Sequence, residues 1–329
     1  MNKFDFIAIG DITTDAFIRL KDAKINCDID EENCQICMRF GDKIPYESET
    51  VVPAVGNSPN ASVSASRLGL KSALVTNLGN DDHGQETIKA LQKNNIDISL
   101  IKTHSDKKTN YHYVLWFEDD RTILIKHEEY DYQLPTFDPP AWIYLSSLGE
   151  NSLDFHNQIA TYLKNNPTVK LAFQPGTFQI KTGYKNLKDI YTSTEIFFCN
   201  VQEAQRILKR NIVDIKELLV EMGKLGPKIV VITDGPKGAY VYDGQSTWFM
   251  PPYPDPKPPL ERTGAGDSFS SCFTSALALG KPIEEAMRWA PINSMNVVQH
   301  IGAQAGLLTQ KELLEWLAKA PVDYLPKKI

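Results

Sequence analysis

Six short, unbroken apolar runs, at residues 4–10, 72–78, 142–145, 169–173, 196–199 and 229–233, alternate along this chain with amphipathic stretches of helical period. A strand that is apolar on both faces has to be covered on both. Strand, helix and strand in succession fold most simply as a parallel crossover unit. The helical stretches fall at 60–68, 84–94, 155–163, 202–208 and 215–225. The pattern predicts an α/β fold, a three-layer α/β/α arrangement with a mostly parallel central sheet. A length of 329 residues would allow two average domains, but it also suits one large α/β domain over residues 1–329 with an insertion.

Two regions break the alternation. Residues 16–53 hold extended pieces at 16–21, 35–40 and 49–53 around an acidic loop at 28–32, and residues 109–117 and 121–127 read as a hairpin turning at Glu118-Asp119-Asp120. Together, about 16–54 and 108–127 are expected to form a small sheet projecting from the main body. The proline-rich stretch 251–259 reads as a rigid connection rather than a ligand for an SH3-type module.

The net charge of −6, from 35 basic and 41 acidic side chains, argues against nucleic acid or an anionic membrane as a partner. No segment approaches the roughly 20 apolar residues of a membrane span, and the N-terminus reads as a strand rather than a signal sequence, so a soluble, cytoplasmic protein is expected. The five cysteines are Cys27, Cys34, Cys37, Cys199 and Cys272, an odd number that makes a poor disulfide framework, so reduced thiols are expected. Cys34-Gln-Ile-Cys37 with Cys27 invites a zinc reading, but a fourth ligand at conventional spacing is missing.

Glu261-Arg262-Thr263-Gly264-Ala265-Gly266-Asp267-Ser268-Phe269 is a glycine-rich turn running into an apolar, small-residue segment. Gly264 and Gly266 can take backbone angles closed to other residues, so several N–H groups can converge at the positive end of a helix dipole and receive an anion. Asp267 would repel that anion unless it holds a hydroxyl in line with a phosphorus atom. Taken alone, a Gly-x-Gly before a helix is most often only a turn. In an open parallel sheet, ligands gather beyond the carboxyl ends of the strands, where Asp15, Gly56, Asn57 and Asn200 can converge. Asp15, Asn57 and Asn60 supply the acceptors and donors that sugar hydroxyls need. No Walker-type Gly-x-x-x-x-Gly-Lys-Ser/Thr occurs, and no Gly-x-Gly-x-x-Gly dinucleotide fingerprint, which disfavours those nucleotide folds.

Thr263-Gly-Ala-Gly-Asp267 resembles the C-terminal signature of the ribokinase/PfkB family of sugar and nucleoside kinases. Val55-Gly56-Asn57-Ser58-Pro59-Asn60-Ala61, continuing to Ser66-Arg67-Leu68-Gly69, is similar to the family's substrate-side element. Leu78-Gly79-Asn80-Asp81-Asp82-His83-Gly84, Ile7-Ala8-Ile9-Gly10-Asp11 with Asp15, Asn200-Val-Gln-Glu203 and Val231-Ile232-Thr233-Asp234-Gly235-Pro236-Lys237-Gly238 follow in the family's order.

The resemblance implies a ribokinase-like fold whose small sheet is a lid and often mediates dimerisation. It implies Asp267 as catalytic base, with the N–H groups of Gly264, Ala265 and Gly266 stabilising the moving phosphoryl group. It also implies substrate contacts from Asp15, Gly56, Asn57 and Asn60, and nucleotide contacts from Asn200, Thr233, Gly235, Lys237 and Gly238. ATP and Mg2+ are the implied cofactors, with Glu203 and Asn200 organising the metal through water. The expected activity is ATP-dependent phosphorylation of a primary hydroxyl of a sugar or sugar-like molecule.

Two departures bear on this. Glu261 stands where the family usually has Asp near an activating monovalent cation, and Arg262 adds charge beside it, which puts K+ dependence in question. Asn57 stands where ribokinases commonly have Lys, so the substrate need not be ribose. A nucleoside is the alternative substrate, with Tyr111, Tyr113, Trp116 and Phe117 as candidates to stack on a base. A sugar-binding or regulatory relative without catalysis is the alternative from another class, and the intact Gly-Ala-Gly-Asp turn argues against it.

Overall fold

The computed structural model describes residues 4–26, 34–117 and 120–329. The sequence readings at Cys27, the acidic loop 28–32, Glu118 and Asp119 lie outside the described residues. The chain opens with β1 (Phe6–Ile9) and then leaves the main body. It passes through β2 (Thr13–Leu20), β3 (Lys24–Asn26), β4 (Gln35–Cys37) and β5 (Tyr46–Val55), and returns through α1 (Asn57–Arg67) to β6 (Ser72–Gly79). After α2 (Asp82–Lys93) come β7 (Ile101–His104), β8 (Asn110–Phe117) and β9 (Asp120–Leu124), then β10 (Trp142–Leu145). Helix α3 (Leu153–Asn165), β11 (Lys170–Phe173), α4 (Thr177–Thr182), α5 (Lys188–Ser193), β12 (Thr194–Asn200), α6 (Val201–Leu208), α7 (Ile215–Gly223) and β13 (Ile229–Thr233) complete the alternation. Strands β14 (Ala239–Tyr242) and β15 (Thr247–Met250), helices α8 (Ala265–Ala278), α9 (Ile283–Val297) and α10 (Gln310–Ala318), and β16 (Lys327–Lys328) close the chain.

The main sheet runs β16-β15-β14-β13-β12-β11-β10-β1-β6-β7, parallel from β13 to β7 and antiparallel from β13 to β16. The antiparallel edge escaped the sequence reading because β14 and β15 are only four residues each and half-buried, so they lack the continuous apolar signature of the centre. Alternation along the central strands feeds two cores. Phe6, Ala8, Trp142 and Tyr144 pack with α1, α8 and α9 on one side. Ile7, Ile9, Ile143 and Leu145 pack with α3, α5, α6 and α7 on the other. This is the three-layer arrangement expected from buried parallel strands.

The small sheet has the order β5-β2-β8-β9, with β2 and β8 parallel and the other pairs antiparallel. Residues 35–40, expected in it, instead pair over Gln35–Cys37 with β3 in a separate two-stranded ribbon. Asp81 pins this sheet to the body: it caps α2 through Gly84 N–H, and its carboxylate also accepts from the N–H and hydroxyl of Thr109, just before β8. Cys34 is disulfide-bonded, which corrects the expectation of reduced thiols throughout, whereas Cys37, Cys199 and Cys272 are free. Among the described residues no group of His, Cys, Asp and Glu is arranged to hold a metal, and no helix is long and apolar enough to cross a membrane.

Candidate active site

Helix α8 begins at the glycine turn, with Gly264 as its N-cap at φ 79°. A Cβ there would lie 2.3 Å from the Ala303 Cβ, so glycine is required on both conformational and steric grounds. The first-turn N–H groups of a helix have no partner within the helix. Those of Gly264 and Gly266 meet no protein acceptor among the described residues. The N–H of Ala265 differs: it closes a turn onto the Arg262 carbonyl at 3.3 Å.

Asp267 sits in this first turn, and three amide side chains converge on it. Asn57 Nδ2 and Gln174 Nε2 donate to Oδ1 at 2.8 and 3.0 Å, and Asn60 Nδ2 donates to Oδ2 at 2.9 Å. Two of the donors, Asn57 and Asn60, come from the first turn of α1, and the third, Gln174, from the end of β11. Asn57 opens α1 behind Gly56, whose φ of 123° and close approach to the Asp11 carbonyl admit only glycine. Asn60 is buried, and its Oδ1 accepts from Gln304 Nε2 at 2.9 Å, which fixes the amide with its NH2 toward Asp267. Gln174 follows β11, and its Oε1 accepts the Tyr144 hydroxyl.

The Asp267 side chain is only partly accessible, and the protein around it pushes its pKa up. Burial is the leading cause. The donors from Asn60, Gln174 and Asn57 and the charge of Arg121 on β9 pull it back without cancelling the rise.

Asn200 and Glu203 form a reciprocal cap at the start of α6: Glu203 N–H donates to Asn200 Oδ1 at 2.8 Å and Asn200 N–H to Glu203 Oε2 at 2.9 Å. Glu203 is also raised above the ordinary carboxylate range, first by burial and further by the charge of Asp267, against the backbone bond from Asn200 and the charge of Arg206. The Glu203 carboxylate, with one oxygen outside its cap, fits a hard divalent cation held through water.

Beside the glycine turn lies a cleft of about 210 Å3 whose lining includes Thr233, Gly235, Gly238, Arg262, Ala265 and Gly266. Asn200 pairs with Thr233 in the sheet register, which brings the β12 and β13 ends together at this cleft. Lys237 is not in the lining: its ammonium is largely exposed, 3.5 Å from the Asp234 carboxylate. Glu261 is buried, and its two oxygens accept the N–H groups of Thr263 at 2.6 Å and Gly302 at 2.8 Å. It ties two backbone segments together.

Asp15 is buried on β2, beside His112 on β8, with Oδ1 3.4 Å from His112 Nδ1. Gln174 was missed from the sequence because a lone Gln after a strand carries no motif. His112 was missed because it lies among aromatics in what reads as ordinary strand packing. Of those aromatics, Tyr111 and Tyr113 pack edge to face with one another, and strand alternation puts them on the opposite face from His112. Trp116 is buried on the His112 face with the Arg19 guanidinium 4.7 Å from its ring centre.

Comparison with known proteins gives the family and the fold. The family described as pfkB family carbohydrate kinase matches residues 20–310. The chain is 27% identical to the ribokinase of Bacillus subtilis over 294 residues, covering 84% of this chain and 94% of that protein. It is 25% identical to a nucleoside kinase of Methanothermobacter thermautotrophicus over 256 residues, covering 77% and 80%. Among solved structures, the ribokinase of Arabidopsis thaliana complexed with ribose and ATP superposes with a TM-score of 0.80 at 20% identity, covering 96% of this chain and 99% of that one. The chain belongs to the pfkB family of carbohydrate kinases, phosphotransferases built on the ribokinase fold.

Proposed function

We propose that the chain transfers the γ-phosphoryl group of ATP to a primary hydroxyl of a sugar or sugar-like molecule bound between the small sheet and the main body. The convergence of Asn57, Asn60 and Gln174 on Asp267, at the head of α8 and beside the cleft lined by Thr233, Gly235 and Gly238, carries this reading. The cleft takes the nucleotide, with Arg262 at its edge and the N–H groups of Gly264 and Gly266 facing the phosphoryl group. The N–H of Ala265, already spent on its turn, contributes less.

A carboxylate cannot ionise an alcohol in the ground state. In a loose phosphoryl-transfer transition state it orients the hydroxyl and accepts the proton as the bond to phosphorus forms. Asp267 is held rigid for this by three donors, and its raised pKa makes it a better base than an ordinary carboxylate. Mg2+, held through water by Glu203 with Asn200, would neutralise phosphate charge.

The small sheet acts as the lid over the substrate. Its outer face carries the row Val51, Tyr113 and Leu124, all exposed and in register across Ala16. A second copy of this chain would cover that row. Release of ADP with ATP and Mg2+ against pentoses, hexoses and nucleosides tests the reading. Turnover of a pentose or hexose supports it, turnover of nucleosides alone would favour the nucleoside alternative, and ATP binding with no acceptor across the panel would count against both.

A further inference from the structure

Residues 302–304, in the loop after α9, touch three parts of the site at once. Gly302 donates its N–H to Glu261 and lies against β5, since a Cβ there would stand 3.3 Å from Val52 Cγ2. Ala303 closes on Gly264 at the glycine turn. Gln304 is buried, and both protons of its side-chain NH2 are engaged, one on the Ala54 carbonyl at 2.7 Å and the other on Asn60 Oδ1 at 2.9 Å.

Ala54 marks the bend where the small sheet returns the chain to the main body. Its φ of 62° lies in the left-handed region, and among the described residues it is the one non-glycine position of that kind inside a strand, since Asn95 and Lys209 follow helices. The ladder pairs Asp15 with Val52 but Thr13 with Val55, so β5 carries an extra residue at this point. A bulge of this kind re-aims the chain that follows it, here Gly56, Asn57 and Asn60. The Gln304 backbone is held as well. Its carbonyl accepts Arg67 Nη1 at 2.8 Å, from the last turn of α1, and Arg67 Nη2 binds Asn94 Oδ1 at 3.0 Å. The helix whose first turn presents Asn57 and Asn60 to Asp267 thus grips Gln304 by its other end.

A carboxamide can be turned end for end with little change of shape, so its orientation is set by what it bonds. A backbone carbonyl can only accept. The Ala54 carbonyl therefore fixes the Gln304 NH2, that NH2 fixes Asn60 Oδ1, and the Asn60 NH2 is left for Asp267 Oδ2. Turning the Asn60 amide over would set donor against donor at Gln304 and acceptor against acceptor at Asp267.

We infer that Gln304 is a positioning residue for the transfer step: it relays the polarity of the Ala54 carbonyl, on the strand leaving the small sheet, to the Asn60 amide that holds the candidate base. The inference rests on the kinase reading for what Asp267 does, but not for which way Asn60 faces it.

Two measurements on the full chain test the relay. NMR of the aspartate side-chain carboxyl carbons, with Asp267→Asn to identify the signal, follows the protonation of Asp267. ADP release with ATP, Mg2+ and the best acceptor follows turnover. Gln304→Met keeps the length of the side chain and loses both bonds. It should raise the Asp267 midpoint by about one pH unit, because a freed Asn60 amide no longer favours the ionised carboxylate. The kcat should fall about tenfold to a hundredfold, with the KM for ATP within about twofold. Gln304→Ala should behave alike, and either variant suffices if the other fails to fold. In an Asn60→Ala background, Gln304→Met should leave the midpoint in place and change kcat by less than about twofold, since a residue acting through Asn60 then has nothing to act on. An unmoved midpoint in a folded Gln304 variant would overturn the relay, as would a second full loss on top of Asn60→Ala. ATP binding without turnover in the wild type would end the kinase reading, and the NMR titration would then decide the relay alone.

Discussion

Gln174 donates to Asp267 at 3.0 Å, and the orientation of that amide is set from behind by the Tyr144 hydroxyl. Tyr144 is fully buried on β10, so its position reports the packing of the central sheet directly to the candidate base. Removing the amide should both loosen Asp267 and raise its pKa, since that hydrogen bond favours the ionised carboxylate. Gln174→Ala is expected to lower kcat by about tenfold to a hundredfold, with the KM for ATP little changed and the acid limb of the pH–rate profile moved upward. A kcat loss with an unmoved acid limb would mean that Gln174 does not act through Asp267.

Asp267 itself has to be ionised to accept a proton. Its folded pKa is raised, so the active form is lost as pH falls through a value above the ordinary carboxylate pKa of about 3.9. The acid limb of kcat/KM should lie in that elevated range. Asp267→Asn should abolish the limb and lower kcat at least about a hundredfold while leaving ATP binding nearly intact. Nucleotide titration beside the pH profile of the wild type checks both halves.

Glu203 carries a second raised pKa, and the sign of its effect on stability follows from linkage. A carboxylate that binds its proton more tightly when folded stabilises the protein below its unfolded pKa, and that contribution is lost as pH rises through the folded value. Glu203→Gln keeps an acceptor for Asn200 N–H and removes the charge. The variant should therefore melt at or above the wild-type temperature near pH 7, with the difference closing in acid, while needing more Mg2+ for half-maximal velocity. Thermal melts at two pH values and a Mg2+ titration separate these effects.

Glu261 ties Thr263 to Gly302 through their two backbone N–H groups. Bonds to a charged acceptor contribute about 1.5–3 kcal/mol each, so Glu261→Ala should cost roughly 3 kcal/mol in urea unfolding and reduce turnover by loosening the glycine turn. A variant as stable as the parent would show that the tie is dispensable.

The exposed row Val51, Tyr113 and Leu124 on the outer face of the small sheet predicts a homodimer. Light scattering should give twice the chain mass of 37.0 kDa, and Leu124→Glu should shift it to the monomer. A wild type that stays monomeric at high concentration would remove this face as the interface.

The main sheet was legible in the sequence because burial on both faces leaves a local mark. The runs at Trp142–Leu145 and Ile229–Thr233 become β10 and β13 with the same bounds. The glycine turn was legible for a similar reason: φ 79° at Gly264 together with the close approach of Ala303 leaves no room for a side chain, so the demand is written into the chain at that position. Asn57, Asn60 and Asp267 carried a motif and do converge, 210 and 207 residues apart.

Gln174 and His112 carried none. A glutamine after a strand and a histidine among aromatics acquire chemistry only from what stands opposite them, and opposition is a property of sheet order and register rather than of neighbouring residues. The same holds for Glu261, whose oxygens meet backbone N–H groups supplied partly by a loop 41 residues away. The sequence by itself determined the layers and the turn, and singled out Asp267 as the candidate base. The tertiary structure alone decided which side chains face that base and the space beyond it, because hydrogen bonds between distant segments exist only once the core has brought those segments together.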